Sequence, residues 1–378
     1  MQKNSNLMWD IDIEGISFKM SGLADYVSQI SFSSSKNMMT TFDIYLKNRL
    51  VNGGNEDTSK IFARGRMLSL YCGWGELKYM GSALIERYDL DVQGQMLNLI
   101  CMDKGKEMAR EEKDKTYPNT TDSDIVLMKA REYGLYPCIT KTNTKVSRVQ
   151  HNLTDYRFIA SLAKLNNFAF FVIFNPTLKR WELHFEPPQN IIQKEIYKYT
   201  YSGDNSLVLS FNPQVSGSVY RDTTITLKAH IVNTEKSEIL KKEPDTKKLE
   251  TLTVGVAGRK ANELIEMRFN SKEEAEAFLK NYVKEREEAY MTATAEVVGN
   301  TDLKCMDYVY FGGLSFMFFP TIDGYWRMDT VDHKIAPSAS IFTTSLSLVR
   351  VKQGSFSPNF TISKSIDGDD EQPDSWET

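Results

Sequence analysis

The chain has 378 residues, 41% hydrophobic and 25% charged, with a formal net charge of −4. That balance permits two or three domains with sizeable cores and argues against binding polyanions by bulk electrostatics, so no sequence-specific nucleic-acid partner is expected. No stretch approaches the roughly 20 apolar residues that span a bilayer and no signal-type segment follows Met1, so neither a membrane partner nor export by the general secretory route is expected.

The first third reads as β-structure. Trp9, Ile11 and Ile13 alternate with Asp10, Asp12 and Glu14, and Phe42, Ile44 and Leu46 alternate with Thr41, Asp43, Tyr45 and Lys47; a period of two gives one buried and one wet face. A Gly/Asn-rich loop follows at 52–55. Further strands are expected from Arg66 to Gly73, Lys78 to Leu90 and Met96 to Met102, with turns at Gly73-Trp74-Gly75 and Gln93-Gly94.

The pattern changes near Asp103. Lys104 to Lys115 is dense in charge and reads as a linker or an exposed helix. Ser123 to Tyr133 is expected to be a helix capped by Asp122 or Ser123 and closed by Gly134. Thr154 caps a second helix, on which Phe158, Leu162 and Leu165 recur at helical spacing. Phe168 to Phe174 and Arg180 to Glu186 form a hairpin around Asn175-Pro176-Thr177. In the last third, the alternation around Ile225, Leu227, Ala229 and Ile231 predicts a strand, and the lysine-rich stretch from Thr234 to Leu249 reads as an inserted loop. Ser271-Lys272-Glu273-Glu274 is a capping box opening a helix over 271–288. Strands follow at Thr292–Val298, Tyr308–Phe311, Tyr325–Val331 and Ser340–Val349. The expected fold class is mainly β with an α+β insert: a barrel-like β-domain at 1–103, a small α+β domain at 104–199, a second barrel-like β-domain at 200–352 with one long helix, and a flexible acidic tail at 353–378. No repeat of 20–50 residues is expected.

Catalytic signatures are missing: there is no phosphate loop, nucleophile elbow or HExxH. His151, His184, His230 and His333 are scattered and read as structural or solvated. Cys72, Cys101, Cys138 and Cys305 have neither zinc-site nor disulfide-framework spacing and read as buried thiols. Asp10, Asp12 and Glu14 share a strand face without the loop that a hard cation needs, and read as a solvated face. Glu86, Asp89 and Asp91 make only a weak carboxylate pair for glycoside cleavage. Lys236, Lys241, Lys242, Lys247 and Lys248 are nearly cancelled by interleaved acids, so a solvated loop is expected there. No cofactor and no metal is expected, and the chain is expected not to be an enzyme. Phe311, Phe316, Phe318, Phe319, Tyr325 and Trp326 read as core or subunit interface.

Three stretches in order carry a resemblance: Phe62-Ala63-Arg64-Gly65-Arg66 through Gly73-Trp74-Gly75 to Asp103; Asp155-Tyr156-Arg157-Phe158-Ile159-Ala160-Ser161-Leu162-Ala163 before Asn167-Phe168-Ala169-Phe170-Phe171-Val172; and Gly324-Tyr325-Trp326-Arg327-Met328-Asp329-Thr330-Val331-Asp332-His333 before the last strand. Over residues 9–350 the chain resembles the late-control D family, which includes baseplate hubs of contractile-tailed phages and the hub portion of type VI secretion spike proteins. The resemblance implies a homotrimer in which two related barrels per chain close a pseudo-sixfold ring between a hexameric tail tube and a trimeric spike. Its implied partners are a spike protein on a separate chain, the tail tube protein and other baseplate proteins. Its implied place is the tail baseplate of a virion or an equivalent extracellular particle, assembled in the bacterial cytoplasm. Phe356, Phe360, Ile362 and Trp376 are the candidate spike or tube contacts in the acidic tail. The alternative is a tail-tip protein with cell-wall hydrolase or glycan-binding activity, using aromatics such as Trp74, Trp181 and Trp326.

Overall fold

Alternating burial builds most of the described chain into antiparallel β-structure, and the fold is mainly β with a small helical insert. The computed structural model describes residues 6–47, 60–187, 197–201, 207–215, 223–231, 237–242, 261–269, 275–276, 278–279, 291–314 and 322–351. The N-terminal module holds β1 (Leu7–Ile13), β2 (Ile16–Ser17), α1 (Phe18–Ser21), β3 (Val27–Ser35), β4 (Thr41–Lys47), β5 (Met67–Trp74), β6 (Lys78–Asp91) and β7 (Met96–Met102). The insert holds β8 (Glu112–Thr121), α2 (Asp122–Glu132), β9 (Tyr136–Ile139), β10 (Lys145–Thr154), α3 (Asp155–Asn166), β11 (Ala169–Asn175) and β12 (Arg180–Glu186). The C-terminal module holds β13 (Tyr197–Thr200), β14 (Val208–Val215), β18 (Met291–Val298), β19 (Tyr308–Gly312), β20 (Gly324–Ala336) and β21 (Ile341–Arg350). Between β14 and β18 a separate three-stranded sheet is made by β15 (Thr223–Ile231), β16 (Ser237–Lys242) and β17 (Ala261–Phe269).

The two β-modules share one 13-stranded sheet, because β20 of the second pairs with β3 of the first. The core changes along β20 and β21. Trp326, Met328, Val331, Leu346 and Leu348 pack in the C-terminal cluster, whereas Ile335 and Phe342 pack in the N-terminal one. The modules repeat each other at the level of register. The strand order β1-β5-β6-β7-β4-β3 reappears as β13-β19-β20-β21-β18-β14. Leu68↔Ala83 and Leu70↔Gly81 become Val309↔Trp326 and Phe311↔Gly324. The bulge after Ile85 recurs after Met328, and the one between Val27 and Gln29 recurs between Val208 and Ser210. Even the entry turn is copied. Gly65 donates to Ile85 O as Met306 donates to Met328 O, and both residues have positive φ. One pair departs from the scheme: β1–β5 is antiparallel and β13–β19 parallel.

The insert has its own core of Ile125, Val126, Phe158, Ile159, Leu162, Phe170, Leu183 and Phe185. It too is duplicated, contrary to the sequence expectation of no short repeat. Asn119-Thr120-Thr121-Asp122 and Asn152-Leu153-Thr154-Asp155 each carry a left-handed Asn, a threonine N-cap and a first-turn aspartate. Leu135 N–H then reaches Ala130 O as Phe168 N–H reaches Ala163 O. The pairing of β8 with β10 obeys the same symmetry, since Lys145↔Thr121 matches Thr154↔Glu112. Arg148 holds Asp122, while the buried Asp155 takes bonds from Lys113, Tyr133 and Gln150 and an ion pair from Lys129. Burial opposes the Asp155 charge, yet these partners outweigh it and hold the carboxyl near 2.

Several sequence expectations change. Residues 104–115 are neither linker nor exposed helix. Lys104–Ala109 is a 3-10 turn that buries Met108 and Lys106, and Glu112 onward is strand, because side chains on α2 and α3 cover one face of β8. The cap of α2 is Thr121, whose Oγ1 accepts from Asp124 N at 3.1 Å. Within the lysine-rich stretch, residues 237–242 are strand β16, since β15 offers an antiparallel edge. Of the helix expected over 271–288, the described residues 275, 276, 278 and 279 are helical, with Ala275, Phe278 and Leu279 buried.

Candidate assembly surface

Beyond its bulge, β6 leaves the body of the N-terminal module. From Lys78 to Leu84 it pairs with β5, at Leu84 β7 takes over on its other edge, and from Arg87 to Asp91 it pairs only with β7 among the described residues. Every residue from 87 to 95 is exposed, and Tyr88, Leu90 and Val92, at 55%, 57% and 69% exposure, line one side. Asp91 Oδ1 accepts from Gly94 N at 2.8 Å and closes the hairpin turn. The result is an apolar arm with an open hydrogen-bonding edge, a feature that folded proteins normally cover.

The duplicated position in the C-terminal module shows what covers such an edge. After its bulge, β20 pairs antiparallel with β3 from Thr330↔Ser35 to Ile335↔Ile30. There His333 is fully buried, stacked on Phe32 and bonded through Nδ1 to Thr344 Oγ1 at 2.9 Å. Burial pushes the His333 pKa down to about 4. The counterpart of β3 is β14, and its outer edge has no strand partner among the described residues. The chain therefore contains one completed junction, β20 on β3, and two open edges at the duplicated positions, the β6 arm and the β14 edge. Pro213 removes one donor from the β14 edge.

A family model described as the Alg8 N-terminal domain matches residues 26–336. The chain belongs to the Alg8 N-terminal domain family. No curated protein matches it. For this Alg8 N-terminal domain member, solved structures share the fold. A 43 kDa tail protein of prophage MuSo2 from Shewanella oneidensis aligns with TM-score 0.64 at 13% identity, over 91% of this chain and 98% of that one. A tail protein from Neisseria meningitidis MC58 gives 0.62 at 10% identity, over 91% and 97%. The Escherichia coli c3393 protein, a type VI secretion component described as similar to T4 tail proteins gp27 and gp5, gives 0.55 at 10% identity, over 94% and 79%.

The residues singled out in the sequence fall into several groups. Phe356, Phe360, Ile362 and Trp376 lie outside the described residues. Asp10, Asp12 and Glu14 are engaged separately: Asp10 by Ser17, Asp12 by Gly15 N and Glu14 by Arg66. Glu86 is the bulge residue of β6 and pairs with Arg64 and the buried Lys106. The aromatics considered for glycan stacking are occupied. Trp326 is core, as is Phe311, which was read as core or interface; Trp74 donates to Gly299 O and stacks on Phe342, and Trp181 meets Phe174 edge-on. The residues that sequence reasoning missed are Tyr88, Leu90 and Val92. The strand carrying Tyr88 and Leu90 was expected, with Val92 in the turn after it, but only its pairing shows that one half stands free. Among the described residues no helix is long and apolar enough to cross a membrane.

Proposed function

We propose that this chain is a non-catalytic structural hub of a contractile tail baseplate or a related injection machine, of the late-control D kind, and that it acts as a homotrimer. The observation that carries the reading is the duplicated module with one junction made and one left open. When the β6 arm of each copy lies on the β14 edge of the next, the open junction repeats the closed one. A heterologous contact of this kind closes into a ring if the rotation fits. Three copies then supply six similar modules, a pseudo-sixfold collar with a threefold symmetry of its own. Such a collar presents a near-sixfold face to a hexameric tail tube and a threefold face to a trimeric spike on another chain, with other baseplate proteins around it. The work is load transfer and symmetry matching in the tail of a virion or equivalent particle. The likeness to phage tail proteins along nearly the whole chain supports this role.

The native mass of the purified chain tests it. A trimer is expected. The double variant Tyr88→Asp with Leu90→Asp, which changes only exposed residues, is expected to run as a folded monomer, because two carboxylates would be buried unpaired in the contact. A stable wild-type monomer under assembly conditions refutes the ring. Release of cell-wall fragments by the purified protein would instead favour the tail-tip hydrolase.

A further inference from the structure

The parallel pair β9–β12 places Cys138 directly opposite His184, and Glu182 stands two residues before His184 on β12. Leu183 and Phe185 point into the insert core, so Glu182 and His184 share the other face of the sheet. One ligand atom from each of Cys138, Glu182 and His184 lies within 4.8 Å of the others. His184 Nδ1 is 2.8 Å from Glu186 Oε1, a contact that puts a proton on Nδ1, so that the neutral ring carries its lone pair on Nε2. That Nε2 is buried and has no hydrogen-bond partner. It sits 3.5 Å from Glu182 Oε2, beyond good hydrogen-bond length. Glu182 Oε1 is already taken by Arg180 Nε at 2.9 Å and Asn175 Nδ2 at 3.3 Å, so Oε2 remains for another occupant. Phe171 stacks on the imidazole at 4.7 Å and fixes its plane.

We propose that Cys138, Glu182 and His184 bind one zinc-type divalent cation. Thiolate, imidazole and carboxylate together suit a borderline metal in tetrahedral geometry. Two nitrogen and oxygen ligands at roughly 2.1 Å from such an ion stand about 3.4 Å apart, which fits the Nε2–Oε2 separation observed. The Glu186–His184 contact is the carboxylate–histidine arrangement that orients a metal-bound imidazole. Charge also balances: together with Arg180, one divalent cation neutralises the thiolate and the Glu182 and Glu186 carboxylates. Without a cation, burial, then Glu182 and then Glu186 push the Cys138 thiol up, so the metal is what makes it a thiolate. Three protein ligands leave a fourth position for water or for a group from a neighbouring chain. The bound ion would tie β9 to β12 across the short parallel contact that joins the two halves of the insert. This site does not depend on the ring.

Cobalt(II) titration of chelator-treated, full-length protein is the test. One Co²⁺ per chain is expected, with a thiolate-to-cobalt band in the near ultraviolet and the visible bands of a tetrahedral site, all removed by Zn²⁺. Cys138→Ser is expected to abolish the near-ultraviolet band, and His184→Gln and Glu186→Gln to weaken binding at least tenfold. Cys305→Ser is expected to leave the spectrum unchanged. Zn²⁺ is also expected to protect Cys138 of the wild-type chain from alkylation, read by mass spectrometry, so the result stands even where a variant fails to fold. No thiolate band in the folded wild type, a band that survives Cys138→Ser, or equal alkylation with and without Zn²⁺ would overturn the site and leave the cluster as hydrogen-bonded polar residues.

Discussion

The two β-modules have the same strand order and the same bulges, yet they differ in what lies beyond the long strand's bulge. In the C-terminal module that half-strand is sealed by β3, and it carries a buried histidine. In the N-terminal module it stands in solvent and carries Tyr88 and Leu90, with Val92 in the turn beyond. They also differ in their insertions. The short turn between β3 and β4 corresponds to the whole stretch between β14 and β18, which includes the β15–β17 sheet. The comparison teaches that a duplicated scaffold can use one copy of an edge for folding and leave the other open, as the proposed ring requires.

The largest effect on a single chain is expected in the core that β20 supplies. Trp326 is fully buried where the N-terminal module has Ala83, while Phe42 stands where the C-terminal module has Ala293. Bulk sits on β4 in one module and on β20 in the other. Trp326→Ala therefore empties the C-terminal core, with an expected loss of about 3–5 kcal/mol in urea unfolding. Trp326→Phe is expected to cost much less, since it also removes an indole N–H buried without a partner.

His333 comes next. It occupies the position of Leu90, and its imidazole is neutral in the fold, with a pKa near 4. The unfolded imidazole titrates near 6.5, so the unfolded chain binds more protons between those values. Stability is fully present above about pH 6.5 and falls by about 3 kcal/mol as pH drops to 4. His333→Leu is expected to remove that acid loss while lowering stability at pH 7 through the lost hydrogen bond to the buried Thr344 hydroxyl, which keeps only the Asn300 N–H. An unchanged acid limb in the variant would show that another group controls it.

The smallest contrast is between the two bulge acids. Glu86 neutralises Lys106, which is nearly buried, whereas Asp329 pairs with Arg327 at a more open site. Glu86→Ala is expected to cost about 2 kcal/mol, because a buried cation loses its partner. Asp329→Ala is expected to cost under about 1 kcal/mol. Equal losses would mean that the bulge itself, and not the ion pair, sets the energy.

Much of the architecture was legible in the sequence. The alternation Trp9/Ile11/Ile13 and Phe42/Ile44/Leu46 gave β1 and β4, and Thr154 marked the start of α3, where its Oγ1 accepts from Arg157 N at 3.3 Å. β3, with Ser28, Ser31, Ser33, Ser34 and Ser35, and β8, mostly charged or polar, carry too little apolar pattern to be read, because their partners and not their side chains make them strands. The module duplication was hidden by the exchange of large and small residues, as at Phe42/Ala293 and Ala83/Trp326. The insert repeat did leave a signal. Asn-x-Thr-Asp occurs at both 119–122 and 152–155. The open edge of β6 was not legible, since an exposed half-strand and a buried one obey the same alternation until their neighbours are known.

The ring rests on the equivalence of β6–β14 between copies with β20–β3 within one. In the register that this equivalence sets, Asp89 of one copy faces Gln214 of the next as Asp332 faces Ser33. Oxidation of a chain carrying Asp89→Cys and Gln214→Cys measures this directly, with Asp332→Cys and Ser33→Cys as the within-chain control. Covalent dimers and trimers in the first protein, and an unshifted single-chain band with consumed thiols in the second, are the predicted result. A cross-linked control beside an Asp89/Gln214 pair that remains reduced and monomeric would contradict the account.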